Sequence, residues 1–271
     1  MSKVCLVTGA SSGIGLATAL ELRRAGHTVY GAARRVERMA PLEAAGGHAL
    51  RMDVTDEAEV RRAVDTVSAA HGGVDVLVNN AGIGLYGSAE EVPLERARAC
   101  FEVDVYAPAR LVQLVLPYMR ERRFGRIVNV SSIGGVITLP MGAWYHAAKH
   151  ALEAYSDCLR QEVGGFGIDV VLIEPGLIRT EFGHGTMDDL REVSGRGPYR
   201  AMAERMAAGG EAAFDENSRA SGPDVVAAAI RRAAEVARPK PRYVVGSRAK
   251  PVVGLYRLLP TRMWDRLATK T

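Results

Sequence analysis

Tyr145 and Lys149 stand four residues apart in Tyr145-His146-Ala147-Ala148-Lys149, so a helix would carry both on one face. A phenol with an ordinary pKa of about 10 is a poor proton donor and acceptor at neutral pH. An adjacent ammonium favours the tyrosinate and lowers that pKa. The pair then becomes an acid/base suited to a carbonyl or alcohol oxygen. Tyr and Lys at this spacing are also a common surface coincidence, so the pair gains weight only from other motifs.

Upstream, Thr8-Gly9-Ala10-Ser11-Ser12-Gly13-Ile14-Gly15 follows an apolar stretch and precedes a helical run. Glycines at 9, 13 and 15 let the backbone turn sharply and approach a pyrophosphate with no Cβ in the way. The next helix offers free N–H groups and the positive end of its dipole to the phosphates. Many glycine triplets are only tight turns, but here the strand before and the helix after supply the required context. Gly9, Ser11, Ser12, Gly13, Ile14 and Gly15 are therefore expected to hold a dinucleotide. An NAD site normally has an acid at the end of the second strand, for the ribose hydroxyls. This chain reads Gly31-Ala32-Ala33-Arg34-Arg35, with no acid before Glu37. Arg34 and Arg35 can form a planar clamp for a 2′-phosphate, which favours NADP, although two solvated arginines would read the same. Asp53 and Val54, after the third strand, would meet the adenine edge, or Asp53 would cap the following helix.

These groups need a scaffold, and the chain alternates short apolar runs with helical patterns up to about residue 246. Strands are expected at 4–8, 28–33, 48–52, 74–78, 126–130, 169–173 and 243–245. Val, Ile and Leu at both alternating positions imply burial on both faces, as in a parallel sheet. Helices are expected at 15–25, 57–70, 94–122, 145–163 and 224–237. The reading is an α/β fold: one doubly wound Rossmann-type domain over 1–246, helices on both faces, and a tail over 247–271. Residues 180–221, rich in Gly, Arg and Met, read as a lid rather than a disordered connector. With 48% apolar and 24% charged residues the chain can form a sizeable core. The net charge of +4 suits a phosphorylated small molecule, and without interleaved basic and aromatic residues nucleic acid is not expected as a partner. Cys5, Cys100 and Cys158 offer neither a disulfide framework nor a metal spacing. The start runs straight into the first strand, and no apolar run is long enough to span a bilayer. The expectation is a cytoplasmic protein.

Five segments in this order resemble the short-chain dehydrogenases/reductases in their compact form. They are residues 8–15, Asn79-Asn80-Ala81-Gly82, Ser131-Ser132, Tyr145-x-x-x-Lys149 and Pro175-Gly176, and the likeness covers roughly residues 3–246. The resemblance implies that Tyr145 is the general acid/base, that Ser132 orients the substrate oxygen and that Lys149 also holds the nicotinamide ribose. A gap of 13 residues to Tyr145 fits the family's serine-to-tyrosine interval and selects Ser132 over Ser131. It further implies that Asn79 steadies the central strand and that Asn80, Ala81 and Gly82 border the cofactor. Pro175, Gly176, Ile178 and Thr180 would line the nicotinamide pocket. The chain departs from the family in Phe101-Glu102-Val103-Asp104-Val105, where an asparagine usually stands in place of Asp104. That asparagine holds a water linking the lysine to solvent. Asp104 is expected to face Lys149 through a water, with the lysine nearer Tyr145 and so dominant in its effect.

Val136, Ile137, Leu139, Met141, Trp144, Leu177, Ile178 and Phe182 flank these motifs, and about half are expected to face a largely apolar substrate. His146 and His184 read as bystanders. The tail, loosely similar to that of the hydroxysteroid- and retinol-dehydrogenase-like branch, suits packing on the lid, an oligomer contact or an anionic membrane surface, in that order. The expected protein is an NADP(H)-dependent carbonyl reductase or alcohol dehydrogenase, a homo-oligomer (dimer or tetramer). The rivals are a non-catalytic NADP-binding sensor or scaffold of the same fold and a sugar-nucleotide epimerase.

Overall fold

The computed structural model describes residues 2–215 and 218–269, without the side chains of Phe182, His184 and Phe214. The readings of Phe182 and His184 therefore lie outside the described residues. The strands are β1 (Val4–Thr8), β2 (Thr28–Ala33), β3 (His48–Arg51), β4 (Val76–Asn79), β5 (Gly125–Val130), β6 (Ile168–Pro175) and β7 (Arg242–Val245). The helices are α1 (Gly13–Arg24), α2 (Ala40–Ala44), α3 (Glu57–His71), α4 (Leu94–Phe101), α5 (Ala107–Glu121) and α6 (Ala143–Val163). After them come α7 (Glu181–Ser194), α8 (Arg200–Phe214), α9 (Pro223–Glu235), α10 (Ala249–Leu258) and α11 (Thr261–Ala268).

The strands form one sheet in the order β3-β2-β1-β4-β5-β6-β7, parallel at every pairing. Alternate residues feed two cores. Leu6, Leu77 and Ile127 pack with Leu111 and Val115 of α5 on one face. Their neighbours Val7, Val78 and Val128 pack with Ile230 and Ala233 of α9 on the other. This double burial is why the inner strands read as continuous apolar runs. The edge strands β3 and β7, expected to be buried on both faces too, are only partly buried because each has a neighbour on one side alone. Strand order reverses between β1 and β4, and in such sheets the crevice at that switch point is where ligands bind.

The stretch 94–122 is not one helix. α4 ends at Phe101, a π-turn covers Glu102–Tyr106, and α5 follows. Pro108 has no N–H to give to the carbonyl of Asp104 four residues back, and the Ala107 N–H reaches the Glu102 carbonyl five residues back. The widened turn carries Asp104 into the interior, where it is 1% exposed. Residues 180–221 hold a helical hairpin, α7 against α8, closed by Met187, Leu190, Ala203 and Ala207 with Met141 from the domain. Ser194 accepts a hydrogen bond from the Ser88 N–H (2.9 Å), and Arg96 pairs with Asp189 (2.9 Å). The tail helices sit on the segment that follows Ser132. Val253, Trp264 and Ala268 pack on Ile137, and the Trp264 indole N–H donates to the Thr138 carbonyl (2.8 Å). No described helix is long and apolar enough to cross a membrane.

Candidate active site

One cavity of about 740 Å³ runs along the C-terminal strand ends. Gly9, Ser11, Ser12, Gly13, Ile14, Arg34, Arg35, Asp53 and Val54 line one part of it. Asn80, Ala81, Gly82, Ser132, Tyr145, Lys149, Pro175, Gly176, Ile178 and Thr180 line the rest. Of the residues singled out for a site, Gly15 and Asp104 stand behind this wall. A Cβ on Gly15 would lie 2.2 Å from the Gly9 carbonyl oxygen, so its role is to let α1 close onto the turn rather than to approach a ligand. Gly9 and Gly13 take φ of +66° and +51°, the left-handed region that the turn requires.

The turn is held from β4. The Thr8 hydroxyl accepts hydrogen bonds from the Asn80 and Ala81 N–H groups (both 3.0 Å), and the Asn80 amide donates to the Thr8 carbonyl (3.0 Å). Asn79 points the other way and donates to Asn129 (2.8 Å), which donates to Ser156 (2.8 Å), which donates to the Leu152 carbonyl (2.7 Å). This buried chain ties β4 and β5 to α6, the helix of Tyr145 and Lys149. Thr8 and Asn79 stand in segments singled out from the sequence, whereas Asn129 and Ser156 carry a signal only once the strands and α6 are packed together.

Of the two arginines that line the cavity, Arg35 lies 3.7 Å from Glu181, and Glu181 accepts from Arg38 at 3.0 Å. Arg38 and Glu181, neither of them singled out from the sequence, thus stand beside Arg35. Asp53 does not cap α3; Asp56 does, accepting from the Glu59 N–H (2.9 Å). Asp53 instead accepts from the Thr55 N–H and hydroxyl (2.9 and 2.8 Å). These bonds, with Arg34 nearby, hold its carboxyl below the usual range.

At the other end the Tyr145 phenol is buried and hydrogen-bonded to the Ser132 side chain. Ser132 Oγ also accepts from the Gly134 N–H (3.0 Å). Lys149 Nζ lies 5.9 Å from the Tyr145 ring centre. Two expectations are corrected here. Asp104 does not meet Lys149 through a water: Oδ2 lies 3.1 Å from Nζ, while Oδ1 accepts from the Ile83 N–H (2.9 Å). Nor does the lysine dominate. Burial pushes Tyr145 well above its ordinary value, the Ser132 bond pulls it down, and the Asp104 charge pushes it up again. Burial raises Asp104 as well, against the pull of Lys149 and of the Ile83 N–H.

His146 is no bystander. Its Nδ1 lies 2.8 Å from the Gly134 carbonyl and its Nε2 accepts from the Leu139 N–H at 3.2 Å, which assigns the neutral tautomer with the proton on Nδ1. Burial lowers its pKa and favours that same form. The ring therefore clamps the segment that begins at Ser132. Tyr86, also missed, stacks at a tilt 5.5 Å from Tyr145. Of the apolar flanks, Ile137, Leu139, Leu177 and Ile178 line the cavity. Val136, Met141 and Trp144 belong to packing clusters instead.

Residues 3–191 match the family model described as short chain dehydrogenase. The chain is 36% identical over 279 residues to the NADPH-dependent 3-dehydrocapnine reductase of Ornithobacterium rhinotracheale, covering 99% of this chain and 96% of that one. Among solved structures it resembles a short-chain dehydrogenase from Streptomyces avermitilis (37% identity, TM-score 0.82, 95% of this chain and 93% of that one). It also resembles actinorhodin polyketide ketoreductase with NADPH (30% identity, TM-score 0.76, 89% and 94%). With its fold, its crevice and these likenesses, the chain belongs to the short-chain dehydrogenase/reductase family of oxidoreductases, which transfer hydride with a nicotinamide cofactor.

Proposed function

We propose that the protein interconverts a carbonyl and an alcohol on a largely apolar small molecule, using NADP(H). The observation that carries this is one cavity with a glycine turn and two arginines at one end and a bonded Ser132–Tyr145 pair at the other. The chain's own residues fit the cofactor. The Gly9–Ile14 backbone and the α1 N-terminus offer N–H groups to a pyrophosphate, and Arg34 and Arg35 suit a 2′-phosphate. Asp53 and Val54 border the adenine end, and Pro175, Gly176, Ile178 and Thr180 the nicotinamide end. When bound, the cofactor supplies or accepts the hydride.

In reduction, Tyr145 gives its phenolic proton to the oxygen of the reacting carbonyl, and Ser132 holds that oxygen in place. A neutral phenol is the form this step needs, and burial keeps Tyr145 in it. The neutral phenol serves reduction, whereas oxidation requires the tyrosinate. Lys149 lines the cavity beside Gly82 and would hold the ribose, its charge balanced by Asp104. The Ile137, Leu139, Leu177 and Ile178 side chains favour an apolar substrate.

One observation favours a second reading: Asp104 occupies Lys149, as a site retired from catalysis to cofactor sensing would allow. Following NADPH absorbance over a panel of steroid, retinoid, aliphatic and quinone carbonyls separates the two. Turnover on any member supports the enzyme. Tight NADPH binding with no turnover on all of them supports the sensor.

A further inference from the structure

The tail helices have a buried face and an unpartnered one. α10 and α11 are seated by Ala249, Val253, Trp264 and Ala268, all buried. On their outer side stand Leu255, Leu258, Met263 and Leu267, four of the eight large apolar side chains exposed among the described residues. Leu258 is 83% exposed. Pro251, Gly254, Leu255 and Leu258 follow helical spacing and share one face of α10, with Lys250 and Arg257 seven apart along its flank. On α11 the apolar pair Met263 and Leu267 stands beside the pair Arg262 and Arg266, each pair one turn apart.

Charge follows the same division. Residues 247–271 carry Arg248, Lys250, Arg257, Arg262, Arg266 and Lys270 against Asp265 alone, more than the whole chain's excess of +4. The rest of the chain is near neutral, so the tail is its cationic face. Exposed leucines fringed by long basic side chains match a bilayer surface, where the apolar groups enter the acyl boundary and the cations remain among anionic headgroups. A water-facing helix has no use for Leu258, and a subunit contact has little use for so many like charges.

The geometry points to an anionic lipid bilayer as the occupant of this face, with the protein lying on its surface and not crossing it. Position gives the contact a purpose. Trp264 and Val253 pack on Ile137, and Ile137 and Leu139 line the cavity wall, so docking would set the substrate side beside the lipid. That consequence rests on the reading of an apolar substrate; the docking itself does not.

The test is co-sedimentation of the full chain with phosphatidylcholine vesicles, with and without about 30% phosphatidylglycerol, at low and high salt. The protein should sediment with the anionic vesicles only, and salt should release it. Leu258→Asp, and separately the double variant Arg262→Gln/Arg266→Gln, should weaken partitioning on the order of tenfold. Both should leave NADPH fluorescence titrations unchanged, because neither position lies in the cavity. No sedimentation, equal sedimentation with both vesicles, or partitioning indifferent to these variants would overturn the proposal. So would a concentration-dependent dimer abolished by Leu258→Asp without vesicle binding, which would make the patch a subunit contact. Because turnover is not measured, a failure here is distinct from a failure of the proposed reaction.

Discussion

At the scale of single residues, the exchange of a neutral amide for Asp104 has a calculable sign. The Asp104 charge raises the Tyr145 pKa, and alcohol oxidation requires the tyrosinate. Asp104→Asn keeps an acceptor for the Ile83 N–H and removes the charge. The basic limb of the pH–rate profile for oxidation should therefore move to lower pH, and an unchanged limb would show that the pair does not govern Tyr145. Arg34 and Arg35 make a second prediction. Losing a charge-assisted phosphate contact costs a few kcal/mol, so NADPH should bind at least about tenfold more tightly than NADH. Arg34→Ala and Arg35→Ala should erode that gap in fluorescence titrations by weakening NADPH and sparing NADH. Equal dissociation constants in the wild type would remove the case for NADP. That Tyr145, Lys149, Ser132 and the glycine turn line one cavity was legible from the four-residue spacing of Tyr145 and Lys149, the strand–glycine–helix context of the turn and the family resemblance that singled out Ser132. The direct Asp104–Lys149 contact was not, because it spans 45 positions of sequence and depends on how far a turn widens.

At the scale of elements, strand and helix types followed from apolar periodicity, since double burial leaves a plain signal in Val, Ile and Leu. The break in 94–122 did not, because its apolar pattern continues across the π-turn. Pro108 was the available clue: a proline at an apparent mid-helix position removes a hydrogen bond that the chain must replace. The polar chain Asn79–Asn129–Ser156 is a property of paired elements. Asn129→Ala leaves the buried Asn79 amide without its acceptor, and urea denaturation should show a loss of about 1–3 kcal/mol. A loss within error of zero would mean that the link adds nothing to holding α6 on the sheet. His146 likewise belongs to a segment. His146→Phe removes an acceptor from the Leu139 N–H and a donor to the Gly134 carbonyl. It should loosen the wall formed by Ile137 and Leu139, raising KM for a large substrate more than for a small one.

For the whole molecule, stability should depend on pH through a buried carboxyl that does not itself line the cavity. Glu174 of β6 is fully buried, 3.1 Å from Arg242, and its pKa is raised to about 7, chiefly by burial and then by Glu153, with Arg242 opposing. A raised carboxyl favours the neutral form in the fold. That contribution is complete below its ordinary value of 4.5 and is lost as pH rises through about 7. Glu174→Gln stays neutral, so its melting temperature relative to wild type should climb between about pH 5 and pH 8. A constant difference would mean that Arg242 keeps the carboxylate ionised throughout. On the proposed function, the switch-point crevice joins a cofactor turn to an acid/base pair. NADPH binding and carbonyl turnover, measured side by side in wild type and Tyr145→Phe, decide whether the pair acts in this way. NADPH affinity should be unchanged, because the glycine turn and arginines are untouched, with turnover down at least about a hundredfold. Turnover near the wild-type rate in Tyr145→Phe would contradict it.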